Sequence, residues 1–176
     1  MTTYWAGARV NKSAADILFY LVAAVAALFV IRTGGTLPDV VATHFGPSGE
    51  ANGYMSRTSY VRFMLAFVVL LPLTVNFLVG RVLKLPSTRI NIPHREYWLA
   101  PERRAETVER LQRHMKFFGV LLAAFLCYVH WQVVKANAHS PPALDNGRFS
   151  TGLAAFMVAL VAWIVVLRRN FRPPQQ

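Results

Sequence analysis

One cysteine, Cys127, stands in the whole 176-residue chain, so no intrachain disulfide framework and no cysteine-rich metal module can form. Acidic side chains are scarce, with 8 Asp and Glu against 19 Lys and Arg and a formal net charge of +11. Charged residues make up only 15% of the chain and hydrophobic ones 55%, with a mean hydropathy of +0.35. That much aliphatic and aromatic surface excludes a disordered chain. No internal repeat and no low-complexity tract is present. No H-E-x-x-H pair occurs, and no Ser/His/Asp or Cys/His spacing supports a nucleophilic site. The excess of basic residues comes without a nucleic-acid recognition motif, so no nucleic-acid partner is expected.

What the chain does have is four long runs free of Asp, Glu, Lys and Arg: Ile17–Ile31, Phe63–Gly80, Phe117–Val134 and Thr151–Leu167. A helix crossing a hydrocarbon layer of about 30 Å needs roughly 20 apolar residues, with a minimum near 17. Ala14, Ala15 and Thr33 lengthen the short first run without adding charge. All four are apolar around the full helical circumference, unlike a surface helix of a water-soluble bundle. The expected fold is an all-α integral membrane protein with spans at about 14–33, 60–83, 115–135 and 151–168. Ser13-Ala14-Ala15-Asp16 reads as a capping box opening the first helix, and Gly34-Gly35 stops it. Ser59 is placed to cap the second helix, Arg62 to snorkel outward, and Pro72 to kink the span. Pro141-Pro142 punctuate the last connection. Arg9, Lys12 and Ala24-Val25-Ala26 resemble a cleavable secretory signal, but the apolar run continues through Leu28–Ile31, which favours a retained span.

The basic residues orient the spans. Of the 19 Lys and Arg, 14 fall on the N-terminal tail, the second loop and the C-terminal tail; 5 fall on the first and third loops. The positive-inside rule then places both termini and the 84–114 loop in the cytoplasm, and the 34–59 loop outside. The basic face attracts anionic lipid headgroups. Val108, Leu111 and Met115 recur at helical spacing after Pro101, with Glu106–Arg110 and Glu109–Arg113 as (i, i+4) pairs. These predict a short amphipathic helix lying against the membrane surface and leading into the third span. Before it, Ile90–Ala100 reads as an extended segment anchored by Tyr97 and Trp98. With Arg103 and Arg104 these form a candidate cytoplasmic interface for a protein partner, against the alternative that the face only packs on its own bundle.

The outward segment Leu37–Arg57, LPDVVATHFGPSGEANGYMSR, is rich in glycine and proline and favours tight turns. His44, Phe45, Glu50, Asn52 and Tyr54 are its candidate ligand-binding residues. His44 and Glu50, with His130 near the outer end of the third span and His139 in the third loop, are also a candidate divalent-metal set, because imidazole and carboxylate suit zinc or copper. Asp145 stands in the same loop as His139. The alternative is that His44 and Glu50 only hydrogen-bond the turns of a compact loop.

Leu37-Pro38, His44-Phe45, Gly49-Glu50, Asn52-Gly53-Tyr54 and Ser56-Arg57 together resemble a motif of the N-terminal membrane domain of the SdpI bacteriocin-immunity proteins. A second block, Asn91-Ile92-Pro93, Tyr97-Trp98-Leu99 and Pro101-Glu102-Arg103-Arg104, also resembles relatives of that domain. With the flanking spans the similarity covers about residues 15–115. Gly46 stands where many relatives have Asn, and Arg57 where Lys is commoner. The additional spans of the immunity protein's second domain have no counterpart here. The resemblance implies a bacterial multi-pass inner-membrane protein without an established enzyme activity.

Asn76, Cys127, His130 and Gln132 are the notable polar residues inside the spans, where such groups usually face the bundle interior. Counted at 1.5 Å per residue, Asn76 lies about 24 Å inward from Tyr60 and His130 about 6 Å from Val134, so no direct Asn76–His130 relay is expected. Asn76 should make an interhelical hydrogen bond near the kink, and Cys127 should pack in the core. Three functional readings are open. The first is a non-enzymatic membrane protein that senses or binds through its outward loop in an immunity-like or signalling role. The second is a metal-dependent membrane enzyme using His44, Glu50, His130 and perhaps His139. The third is an accessory subunit making lateral contacts, as a homo- or hetero-oligomer.

Overall fold

The computed structural model describes residues 14–85 and 90–172. Within them the chain is mostly helical, and four helices are long and apolar enough to cross a membrane: Ala14–Gly34, Arg57–Lys84, Pro101–Ala136 and Asn146–Asn170. The first matches its expected span to within one residue; the other three run further, most of all at the N-terminal end of the third, where the charged residues 101–114 continue the helix.

Helix α1 (Ala14–Gly34) buries Ala15, Phe19, Ala23, Ala26, Val30 and Gly34, which recur at helical spacing on one side. The alanines keep this stripe low, and α1 packs most extensively on the Pro101–Ala136 helix, α5, while Gly34 lies against Val61 of the second span. The capping residue expected at Ser13 lies outside the described residues.

The fold is not purely helical. Val40–Phe45 (β1) and Ala51–Ser56 (β2) form an antiparallel hairpin, pairing Val40 with Ser56 and Val41 with Met55. The sequence VVATHF is β-branched and aromatic, which suits a pleated half-buried surface better than a chain of turns. Val41 and Ala42 are fully buried while Val40 is 64% exposed. The glycines and prolines thus serve one turn and the strand irregularities around His44.

The second span starts at Ser56, not at Ser59. Ser56 Oγ accepts the Ser59 backbone N–H at 3.2 Å and caps α2 (Arg57–Leu65). A π-helical turn, Ala66–Leu70, then leads into α3 (Leu71–Lys84). The Leu71 N–H reaches back five residues to the Ala66 carbonyl. Pro72 comes next, and a proline ring clashes with the carbonyl four residues earlier. Widening the preceding turn relieves that clash, so the expected kink takes the form of a π-turn.

A short turn of helix, α4 (Arg95–Trp98), interrupts the 90–100 segment, which was expected to be extended. Helix α5 (Pro101–Ala136) then runs unbroken for 36 residues. The amphipathic stretch 101–115 is therefore the first part of the third long helix and not a separate surface element. Nothing between Met115 and Phe117 breaks the helix, since Lys116 is a good helix former and no glycine or proline intervenes. Of the two expected pairs, Glu106–Arg110 forms at 3.0 Å; Glu109–Arg113 is not among the ion pairs of the described residues. Helix α6 (Asn146–Asn170) is capped by Asp145, whose carboxylate accepts the Arg148 N–H at 2.9 Å. It packs on α5 through a Phe125–Phe156 stack at 4.2 Å and through Trp163 beside Phe118.

Two apolar clusters sit at opposite ends of α5. One joins Val30, Leu37, Val41, Tyr60, Met64 and Val133 beneath the hairpin. The other joins Leu83, Ile90, Ile92, Val108, Leu111 and Phe171 at the basic end.

Candidate functional site

The hairpin turn is built from its own side chains. Gly46 N–H donates to the Glu50 carbonyl at 2.8 Å, and Gly49 N–H to the Gly46 carbonyl at 2.9 Å. Gly49 has a φ of +91°, a conformation that side-chain-bearing residues rarely adopt. Glu50 folds its carboxylate onto the Ser48 hydroxyl, in the space a side chain at Gly46 would fill. The Ser48 hydroxyl, with nearby backbone N–H groups as the lesser cause, holds the Glu50 carboxyl below its ordinary range. Glycine rather than asparagine at position 46 is what leaves this space.

The hairpin base and flank are clamped as well. Arg57 bonds the Asp39 carboxylate at 2.7 Å and the Leu37 carbonyl at 2.9 Å. Asn137, just past the end of α5, accepts the Ala42 N–H at 2.8 Å and donates to the Ala42 carbonyl at 2.9 Å. The connection to α6 adds a further edge. Leu144 N–H donates to the Gly49 carbonyl at 2.8 Å, and Asn146 donates to the Pro47 carbonyl at 2.7 Å. The first and third loops therefore form one small cap.

Most of the motif residues thus have structural work in this cap: Leu37 in the core, Gly49 at the turn, Ser56 and Arg57 at the base. The side chains it leaves at the surface include Val40, His44, Asn52 and Tyr54, the last 56% exposed. Phe45 is half-buried and packs on the cluster beneath. Of the five candidate ligand-binding residues, His44, Glu50, Asn52 and Tyr54 are exposed on one hairpin.

Below the cap, His130 is fully buried. Its Nε2 lies 2.7 Å from Thr33 Oγ1 and its Nδ1 2.9 Å from the Tyr60 hydroxyl. The Thr33 hydroxyl donates to the Phe29 carbonyl at 2.7 Å, so its oxygen accepts the His130 Nε2–H. Nδ1 then accepts the Tyr60 O–H. This tautomer is assigned from the network. The imidazole also stacks on the Tyr60 ring and meets the edge of Phe29. A neutral histidine with both nitrogens engaged carries no buried charge and joins α1, α2 and α5.

The candidate metal set does not come together. Among the described residues no group of three or more His, Cys, Asp or Glu is placed to hold a metal ion. His130 is sealed in its network, Glu50 is turned onto Ser48, and His139 is exposed on the turn after α5. His44 Nδ1 lies 3.2 Å from the Thr43 hydroxyl.

A sequence-family profile described as a domain of unknown function, DUF1648, matches residues 20–70. No curated protein and no solved structure matches the chain. The matched segment runs from α1 through the hairpin to the π-turn, so it contains Thr33 and Tyr60. His130 and Asn137, which complete the network and the clamp, lie outside it.

At the other end the candidate cytoplasmic interface is largely used within the chain. Trp98 Nε1 donates to the Phe171 carbonyl at 2.7 Å, and Thr107 donates to the Trp98 carbonyl at 2.7 Å. Arg104 donates to the Leu85 carbonyl at 2.9 Å. Arg103 lies over the Tyr97 ring at 4.1 Å. Asn76 donates to the Pro72 carbonyl at 3.0 Å within its own helix, in place of the expected interhelical bond. Cys127 is half-buried against the upper cluster.

Thr33, Tyr60 and Asn137 were not among the residues that the sequence singled out. A signal existed: Tyr60 lies about 4.5 Å along the axis from Arg57 and His130 about 9 Å from Ala136, so both sit just below the same end as Thr33.

Proposed function

We propose that this chain is a non-enzymatic, multi-pass protein of the bacterial inner membrane that binds an extracellular agent on its hairpin and relays that contact inward, in an immunity-like or signalling role. Both termini and the 84–114 loop lie in the cytoplasm. The observation that carries the reading is α5, one unbroken helix with the hairpin clamped to its C-terminal end through Asn137 and the second apolar cluster packed on its N-terminal part. At 1.5 Å per residue it is about 54 Å long, enough to join both sides of a bilayer. Packed side chains and a continuous helix between two sites are among the elements that carry coupling. The match to DUF1648, a domain associated with SdpI-like membrane proteins, is in keeping with this reading. His44, Asn52 and Tyr54 supply a polar and aromatic contact surface of the kind that recognises peptides.

Orientation is tested by single cysteines in a Cys127→Ser background. Asn52→Cys should react with an impermeant maleimide on intact cells, and Glu102→Cys only after permeabilisation; the reverse pattern removes the proposal. Function is tested by survival of a deletion strain challenged with membrane-active peptides. Complementation should be lost in Tyr54→Ala combined with Asn52→Ala at unchanged membrane abundance. Full complementation by that pair would remove the hairpin as the binding surface.

An accessory-subunit role is favoured by one feature, helix α6, none of whose residues is buried within the described structure. Its apolar face is open to lipid or to a lateral partner, and a fixed stoichiometry on copurification would select this reading.

A further inference from the structure

A cleft of about 620 Å³ opens between α1, α3 and α5 at the basic end, far from the hairpin. Its α3 wall is one helical stripe, Leu73, Phe77, Arg81 and Lys84, spanning about 16 Å along the axis. The stripe changes character along its length, aromatic and aliphatic toward Leu73 and cationic toward Lys84. Phe19 and Tyr20 of α1 face it. The floor closes because residue 119 is glycine: a Cβ there would come within 2.5 Å of the Phe19 ring and 2.6 Å of the Asn76 amide. Gln112 fixes the floor by donating to the Gly80 carbonyl at 3.2 Å.

The charge in this cleft is unbalanced. Lys116 pairs with Asp16, whereas neither Arg81 nor Lys84 meets a carboxylate among the ion pairs of the described residues. All eight acidic side chains of the sequence are among those described residues. Residues 1–13 and 86–89 carry only basic charge, so they are poor occupants of a cationic rim. These segments supply no carboxylate side chain for Arg81 or Lys84.

We propose that this cleft binds one anionic glycerophospholipid, its phosphodiester held between Arg81 and Lys84 and an acyl chain laid along Phe77 and Leu73. Guanidinium and ammonium groups side by side suit a phosphate, the first as a fork and the second as a point charge. Aromatic and aliphatic residues below them suit a chain and not a hydrated ion. Basic pockets between spanning helices at a cytoplasmic face are where anionic headgroups settle. This site takes its orientation from the proposed function but stands or falls separately from the hairpin reading.

The test is native mass spectrometry of the full chain in detergent, titrated with phosphatidylglycerol, with phosphatidylcholine of the same acyl chains, and with inorganic phosphate. One phosphatidylglycerol per chain is expected, with phosphatidylcholine much weaker. Arg81→Gln with Lys84→Gln should weaken it about thirtyfold, at about fivefold per basic side chain near a headgroup. Arg168→Gln with Arg169→Gln, equal in charge but on α6, should change it less than about twofold. Phe77→Ala keeps every charge and should still weaken the lipid severalfold, which covers the case in which the double variant misfolds. Equal losses in the two charge pairs, equal binding of phosphatidylcholine, no effect of Phe77→Ala, or displacement of the lipid by inorganic phosphate would each overturn the assignment. Binding that appears only after removal of residues 1–13 would give the cleft to that segment instead.

Discussion

The side-chain amide of Asn137 hydrogen-bonds both backbone groups of Ala42, at 2.8 and 2.9 Å, and so imitates one rung of a β-ladder. It also donates to the Val133 carbonyl at 2.9 Å, closing the last turn of α5. One residue therefore ends a helix and fastens a hairpin to it. Asn137→Ala should leave the bundle folded but release the strand, at a cost of about 1–3 kcal/mol for the exposed rung. Hydrogen exchange at residues 40–45 should quicken while exchange in α6 does not. Asn137→Asp keeps the acceptor for Ala42 N–H and loses the donor, so it should fall between the two.

His130, Tyr60 and Thr33 form the next joint. Tyr60→Phe removes the donor to Nδ1 and leaves that nitrogen buried without a partner, which should lower stability by about 1 kcal/mol on the scale of membrane hydrogen bonds. His130→Leu should cost more through misfit of the ring cavity. A double-mutant cycle of Tyr60→Phe with His130→Leu, read from thermal unfolding in detergent, should show coupling of about 0.5 kcal/mol or more. Strict additivity would mean that the bond contributes nothing.

The two turn glycines should respond differently to alanine. Gly49 combines a φ of +91° with a Cβ position that would overlap the Leu144 carbonyl oxygen, which is backbone and cannot step aside. Gly49→Ala should cost about 1–3 kcal/mol and detach the α5–α6 connection from the hairpin. At Gly46 the atoms nearest a Cβ are those of the Glu50 carboxylate, the mobile end of a side chain. Gly46→Ala should be tolerated, with Glu50 swung off Ser48. Comparable melting temperatures for the two variants would contradict this account.

Glu50 carries the pH dependence of the turn. Its carboxyl is held below the ordinary value of 4.5, chiefly by the Ser48 hydroxyl. A depressed carboxyl stabilises the folded turn above the unfolded value, and that contribution disappears as pH falls through the folded one. The window therefore lies below about pH 4.5. Carboxyl-labelled NMR should show Glu50 titrating under that value in the wild type and rising toward it in Ser48→Ala; an unmoved midpoint would assign the shift to another group.

How far these features could be read from the residues differs by kind. Span number came from runs without charge, because lipid and water sort side chains one residue at a time. The cap at Ser56 and the π-turn before Pro72 were half legible: a capping serine and a kink were expected, but their geometry depends on how the helix meets its neighbours. The amphipathic spacing of Val108, Leu111 and Met115 was real, yet it could not show that α5 continues through Lys116 without a break.

Local chemistry in the chain by itself determined four apolar helices, the basic segments between and after them, and tight turning within residues 37–57, since each depends only on neighbours in sequence. Only the tertiary structure decided that His130 would meet Tyr60 and Thr33, and that Asn137 would hold Ala42 from 95 residues away. The physical reason is that a hydrogen bond in a buried site depends on distance and direction in space. Chain spacing reports neither once helices have packed.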